Sequence, residues 1–222
     1  MQAAIEPLGT PLVREGDAAL SRLDDLGVKL HVVHTALDAG DVALRQATPF
    51  HPVNAGGTSR WQETVHMLRE GLAGYGWTTN DDRNSPRSIR EDGRIAVTTT
   101  RGDDATGDPD RIPSTANPRG SASARAVQFN GIQTLFDFIE PQLPDMSAEK
   151  TAGVETWVLL YHRTTDGELR SELSLPVEID NRGKIVGWKE RLILPVRGFD
   201  AEVATPVSAG PVDDVEFDII AI

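Results

Sequence analysis

The chain has no cysteine, only four lysines beside eighteen arginines, and twelve aromatic residues in 222. Without cysteine no disulfide supports the fold, and the absence points to a reducing, cytoplasmic setting. The shortage of lysine removes the Walker-type phosphate loop, and no dinucleotide fingerprint or serine elbow is present. No stretch approaches the roughly 20 apolar residues of a membrane span. The opening Met1-Gln-Ala-Ala-Ile-Glu has neither the basic start nor the apolar run of a secretory signal. No membrane partner is therefore expected.

What is present is an acidic chain, net charge -12, with 39% hydrophobic residues, enough for a core without metal or disulfide support. The charge is uneven. Residues 200–222 hold six acids and no base, whereas residues 77–125 hold eight acids and eight arginines. The overall sign argues against tight non-specific binding to nucleic acid, whose affinity comes mostly from phosphate neutralisation. A local arginine-lined surface remains open to nucleic acid, and arginine forks suit carboxylates and phosphates.

The most regular stretch is 154–196. Trp157-Val-Leu-Leu-Tyr161 is aromatic and β-branched, Asp166-Gly167 is a hairpin turn, and residues 168–179 alternate. Leu169, Leu173, Leu175, Val177 and Ile179 share one face, leaving Arg170, Glu172, Ser174 and Glu178 for a solvated one. After the Asn181-Arg-Gly183 turn, Val186, Trp188, Leu192, Leu194 and Val196 point inward, with Lys189 and Arg191 outward. Glu172-Leu-Ser-Leu-Pro-Val echoes Arg191-Leu-Ile-Leu-Pro-Val, and Pro176 and Pro195 should mark bulges or strand ends.

Upstream, residues 17–26 form a helix capped by Asp17, residues 28–33 read as strand or helix start, and 41–46 as a further helical turn. Ser59-Arg-Trp-Gln62 fits a capping box, opening a helix through Trp61, Val65, Leu68 and Leu72. Short strands follow at 77–79 and 88–90, then a β-prone run at 94–100. Residues 121–139 make two helical pieces, 141–153 a linker, and 215–222 a closing strand. The fold class is α+β: an antiparallel β-meander at 154–196 plus a helix–β-hairpin–helix unit, with helices packed on sheet. The segments are 1–57, 58–140 and 154–222.

Residues 102–120, GDDATGDPDRIPSTANPRG, form a loop too long to be a mere connection, which marks it as a functional loop or a disordered one. Asp103, Asp104, Asp108 and Asp110 could offer hard oxygen ligands to magnesium or calcium; otherwise no cofactor is expected. Arg101, Arg111, Arg119 and Arg125 flank the loop as binding residues, and the helix start at Ser121 or Ser123 would suit a phosphate. His31 and His34 would share a helix face with Asp38 or Asp41.

The order from Ser59 to Phe136 resembles a double-stranded RNA-binding module, without its lysines and with a longer loop. Asp92-Gly-Arg-Ile-Ala-Val97 resembles the entry to a restriction-endonuclease core, without its Glu-x-Lys. The expected function is that of a non-catalytic binding or adaptor protein, with a protein partner, using the 102–120 loop and its arginines. One alternative is a divalent-metal-dependent phosphodiesterase or nuclease using Asp92, Asp103, Asp104 and Asp108. Another is an acidic inhibitor imitating nucleic acid through residues 213–218.

Overall fold

The computed structural model describes residues 10–81, 85–139 and 154–197, the side chains of 132–139 aside. The expected linker at 141–153 and the acidic residues and strand beyond 200 lie outside these. Helix α1 spans Gly16–Asp25, α2 Leu30–Arg45, α3 Ala55–Ala73 and α4 Ser121–Ile139. The ambiguous run at 28–33 resolves as the start of α2, because Val32, Val33, Ala36, Leu37 and Gly40 recur along one buried helical face. Asp17 falls in the first turn of α1, and Glu15 caps it without a side-chain bond.

Helix α3 begins before Ser59, so the expected capping box lies inside the helix and Asn54 is the cap. Tertiary packing explains the extra turn: Gly56 is buried, and a Cβ there would stand 3.1 Å from Leu44 Cδ1. A Cβ at Gly71 would lie 2.5 Å from Val32 Cγ1, and one at Gly40 would collide with Thr64 Oγ1. Helices α2 and α3 thus touch closely through glycines, as an antiparallel pair needs when its backbones approach.

Strands β1 (Leu12–Arg14), β2 (Thr78–Asn80), β3 (Arg87–Ile89), β4 (Ile95–Arg101), β5 (Glu155–Arg163), β6 (Leu169–Ile179) and β7 (Ile185–Ile193) follow in sequence. They form one seven-stranded sheet ordered β1-β7-β6-β5-β4-β3-β2. All three segments delimited from the sequence contribute strands to it. The meander is antiparallel across β5, β6 and β7. The sheet as a whole is mixed, which corrects the antiparallel expectation: β1 runs parallel to β7, and β4 parallel to β5. Helix α4 lies between β4 and β5 in sequence, the crossover that a parallel neighbour requires.

Both faces of the sheet are covered. Trp157, Leu159 and Tyr161 pack on one side with Leu23, Val32, Leu68, Leu72 and Leu173. Val158 and Leu160 pack on the other with Val127, Ile185 and Trp188. This is why the Trp157 to Tyr161 run reads as continuously apolar rather than alternating. It also overturns the solvated face expected of β6, where Glu172 and Ser174 are both 0% exposed. The register shifts around Pro176, as its missing N–H predicts. Beyond it Ile179 packs against the second cluster while Leu175 remains in the first. Trp188 and Leu192 likewise sit on opposite faces, not together as the pattern suggested.

Candidate functional site

Residues 102–120 leave β4, cross the second face as far as β7 and return to α4. The loop carries no long element, yet backbone bonds tie it down at several points. Asp103 N donates to Ser114 O, Ala116 N to Arg101 O, Thr115 N to Ile185 O and Arg119 N to Gly183 O. Trp188 Nε1 donates to Pro113 O at 2.8 Å. Gly107 has φ 72°, and a Cβ there would stand 2.9 Å from Arg170 Cβ. Only glycine meets both conditions.

Beneath the loop lies an ion pair taken wholly out of water. Arg191 is 1% exposed and Glu172 0%. Arg191 donates to both Glu172 oxygens, Nε at 3.0 Å and Nη2 at 2.5 Å. Its remaining donors reach up to the loop, Nη1 to Arg111 O at 2.7 Å and Nη2 to Asp108 O at 3.0 Å. Glu172 in turn accepts from Gly107 N at 2.9 Å and Ser174 Oγ at 2.7 Å. Burying charges is costly unless they are paired and hydrogen-bonded. Here the bonds that satisfy the pair are also those that clamp the loop to the sheet.

Three of the loop's four aspartate carboxylates, those of Asp103, Asp104 and Asp108, have partners within the chain. Asp103 Oδ1 accepts from Ala105 N at 3.1 Å, and its Oδ2 from Ser114 N at 2.9 Å and Ser114 Oγ at 2.8 Å. Asp104 pairs with Arg111 at 2.8 Å, which lowers its pKa and raises that of Arg111. Asp108 caps the N–H of Asp110 at 3.0 Å. Asp92 precedes β4 whereas Asp103 follows it, so a seven-residue strand separates them, about 20 Å. Among the described residues no group of three or more His, Asp or Glu could hold a metal ion. Asp41, a candidate partner for the α2 histidines, instead pairs with Arg60 and Arg163.

The four flanking arginines go different ways. Arg111 and its neighbour Ile112, 58% exposed, stand on the outer surface of the loop. Arg125 is exposed on α4. Arg101 stands in register with Tyr161 at the end of β4, on the face that Arg60 reaches from α3, whereas Arg119 lies on the opposite face. The Arg60 guanidinium lies over the Tyr161 ring, 4.7 Å from its centroid. Arg119 Nη1 donates to Thr100 Oγ1 at 3.0 Å. Burial pushes the Tyr161 phenol up, and the three guanidiniums pull it the other way. Burial likewise lowers the pKa of Arg60 and of Arg119.

Glu172, Arg191, Arg60 and Tyr161 were not among the residues singled out as site candidates. One sequence signal was present for the first pair: Glu172 and Arg191 open the two arms of the Leu-x-Leu-Pro-Val echo, at matching places in neighbouring strands. Their opposite charges on a face that proves to be covered call for mutual pairing. No family model, curated protein or solved structure matches the chain.

Proposed function

We propose that the chain is a non-catalytic binding protein whose contact surface is the outer side of the 102–120 loop. The observation that carries this is the clamp. A buried arginine–glutamate pair and the Asp103 carboxylate hold an irregular segment in one shape. That segment presents Arg111 and a 58%-exposed Ile112 to solvent. Folds tolerate loose surface loops, so an irregular loop fixed by buried charges serves recognition, where preorganisation lowers the entropic cost of binding. An apolar side chain beside an arginine also fits the anchor composition of protein interfaces. The partner is accordingly a protein.

The test is affinity capture from extracts of the source cells, with the full chain as bait, compared with Arg111→Ala and Ile112→Asp baits. Both residues are exposed, so circular dichroism should be unchanged in the variants. A partner retained by the unaltered chain and lost by both variants supports the reading. A partner retained by both but lost on Phe50→Ser or Val53→Ser, whose side chains are the most exposed large apolar ones among the described residues, would move the contact surface to the α2–α3 connection.

A further inference from the structure

Two half-buried arginines meet on the α4 side of the sheet. In β4, Ile95 and Val97 belong to the cluster under α1 to α3, so Ala96, Thr98 and Thr100 face the other way, toward α4. Ile89 of β3 stands in register with Ala96, and Arg87, two residues earlier, shares that face. Arg119 reaches the same face from the end of the loop, where its Nη1 donates to Thr100 Oγ1 at 3.0 Å. Its backbone is held by the bond from Arg119 N to Gly183 O at 2.7 Å.

Arg87 and Arg119 line one small cavity, together with Ser85, Ser123 and the apolar walls of Val127 and Val158. Among the described residues no carboxylate lines it, and neither arginine makes an ion pair. Arg87 uses Nη2 on Asn80 Oδ1 at 3.1 Å, and its Nε is buried without a hydrogen-bond partner. A buried donor on a cation costs free energy until an acceptor satisfies it. The first turn of α4 adds donors of its own. Ala124 N donates to Gly120 O, the first bond of the helix, which leaves the N–H groups of Ser121, Ala122 and Ser123 ahead of the ladder. Gly120 has no side chain to cap them. Positive charge and uncapped donors therefore gather from a strand, a loop end and a helix start.

We propose that Arg87, Arg119 and the first turn of α4 form a binding site for a single compact inorganic anion, a halide such as chloride. The cavity is about the size of one water molecule, which suits a monatomic ion and is too small for a phosphate group. The phosphate expected at the Ser121 helix start is thereby replaced by a smaller anion. On a chain of net charge -12 the two unpaired guanidiniums make a local positive focus that attracts it. The bound ion would satisfy both cations and tie the start of α4 to β3 and β4. This site goes beyond the loop reading and does not depend on it, since Arg111 and Ile112 take no part.

The experiment titrates the full chain with sodium chloride and follows chlorine NMR line broadening, at an ionic strength held constant with sodium gluconate, whose anion is too large for the cavity. A few charge-assisted contacts place the dissociation constant at about 1–10 mM. Saturable broadening should be retained in Arg125→Gln, whose side chain is exposed on α4 and does not line the cavity. Arg87→Gln should weaken binding about tenfold or more, the loss of one charge-assisted contact. Because Arg87 also bonds Asn80, Ser123→Asp serves as a second variant. Its carboxylate at the helix start would take the place of the ion, so chloride binding should disappear. The Tm of the unaltered chain should rise with chloride, and that of Ser123→Asp should not depend on it. The proposal is overturned by the absence of saturable broadening up to about 100 mM chloride. It is also overturned by broadening undiminished in Arg87→Gln or Ser123→Asp, or by phosphate displacing chloride more readily than bromide does.

Discussion

Arg191 does at the scale of one side chain what the loop needs overall: its guanidinium satisfies Glu172 below and two loop carbonyls above. Replacing it with methionine would leave Glu172 buried without its cation, at a cost of about 3–5 kcal/mol in urea unfolding. Adding Glu172→Leu should recover much of that stability, because a buried pair replaced by apolar groups is often close to neutral. The loop would still have lost its tethers. Trypsin cleavage after Arg111 should therefore be faster in the double variant than in the unaltered chain, and equal rates would show that other contacts hold the loop. Asp92 gives a prediction in pH. Its side-chain bond to Arg90, and then its bond to the Arg94 N–H, hold its carboxyl down to about 2. The unfolded carboxyl titrates near pH 4. Ionised Asp92 therefore favours the folded state above about pH 4, and that contribution is lost as pH falls from about 4 to 2. Arg90 also donates to the Asp25 and Leu26 carbonyls at the end of α1. Acid unfolding followed by circular dichroism should lose part of its dependence in this window in Asp92→Asn, and an unchanged profile would remove Asp92 from the account.

At the scale of elements, the α2–α3 pair depends on glycine where one would expect a helix former. Gly71→Ala should gain helix propensity of about 1 kcal/mol. Crowding against Val32 should cost more, leaving the variant about 1–2 kcal/mol less stable by urea denaturation. Val32→Ala in the same chain should relieve the clash, a coupling that a double-mutant cycle would read. These glycines also explain why the start of α3 was not legible in the sequence. Ser59-Arg-Trp-Gln62 satisfies the local capping pattern, but Gly56 packs on Leu44 and Ala47. That long-range contact draws the preceding turn into the helix, and local rules cannot register it. By contrast, the hairpins at Gly93, Gly167 and Gly183 were legible, since each places glycine at positive φ in a tight turn. The proline at 176 was legible for the same reason: what it lacks, a backbone donor, acts locally. Its consequence for side-chain facing was not, because the shift that moves Ile179 to the other face depends on its pairing with β7.

The whole molecule places a sheet between two unlike covers, α1 to α3 on one face and α4 with the 102–120 loop on the other. From the sequence this loop was identifiable as special by its length and its aspartates. Its path was not, because the residues that fix it, Glu172 and Arg191, lie far along the chain and read there as the solvent side of an alternating strand. A charged residue in a strand indicates solvent only if nothing covers that face. Here the covering layer is the loop itself, and the two features become interpretable only together. Among the described residues no helix is long and apolar enough to cross a membrane. The central claim is that the 102–120 loop is a fixed platform for recognition, and native-state hydrogen exchange tests it most directly. The N–H groups of Asp103, Thr106, Gly107, Thr115 and Ala116, each donating within the chain, should exchange slowly, with protection approaching that of β6 and reduced in Arg191→Met. Exchange of these amides at the rate of an unstructured peptide, while β6 stays protected, would contradict the account.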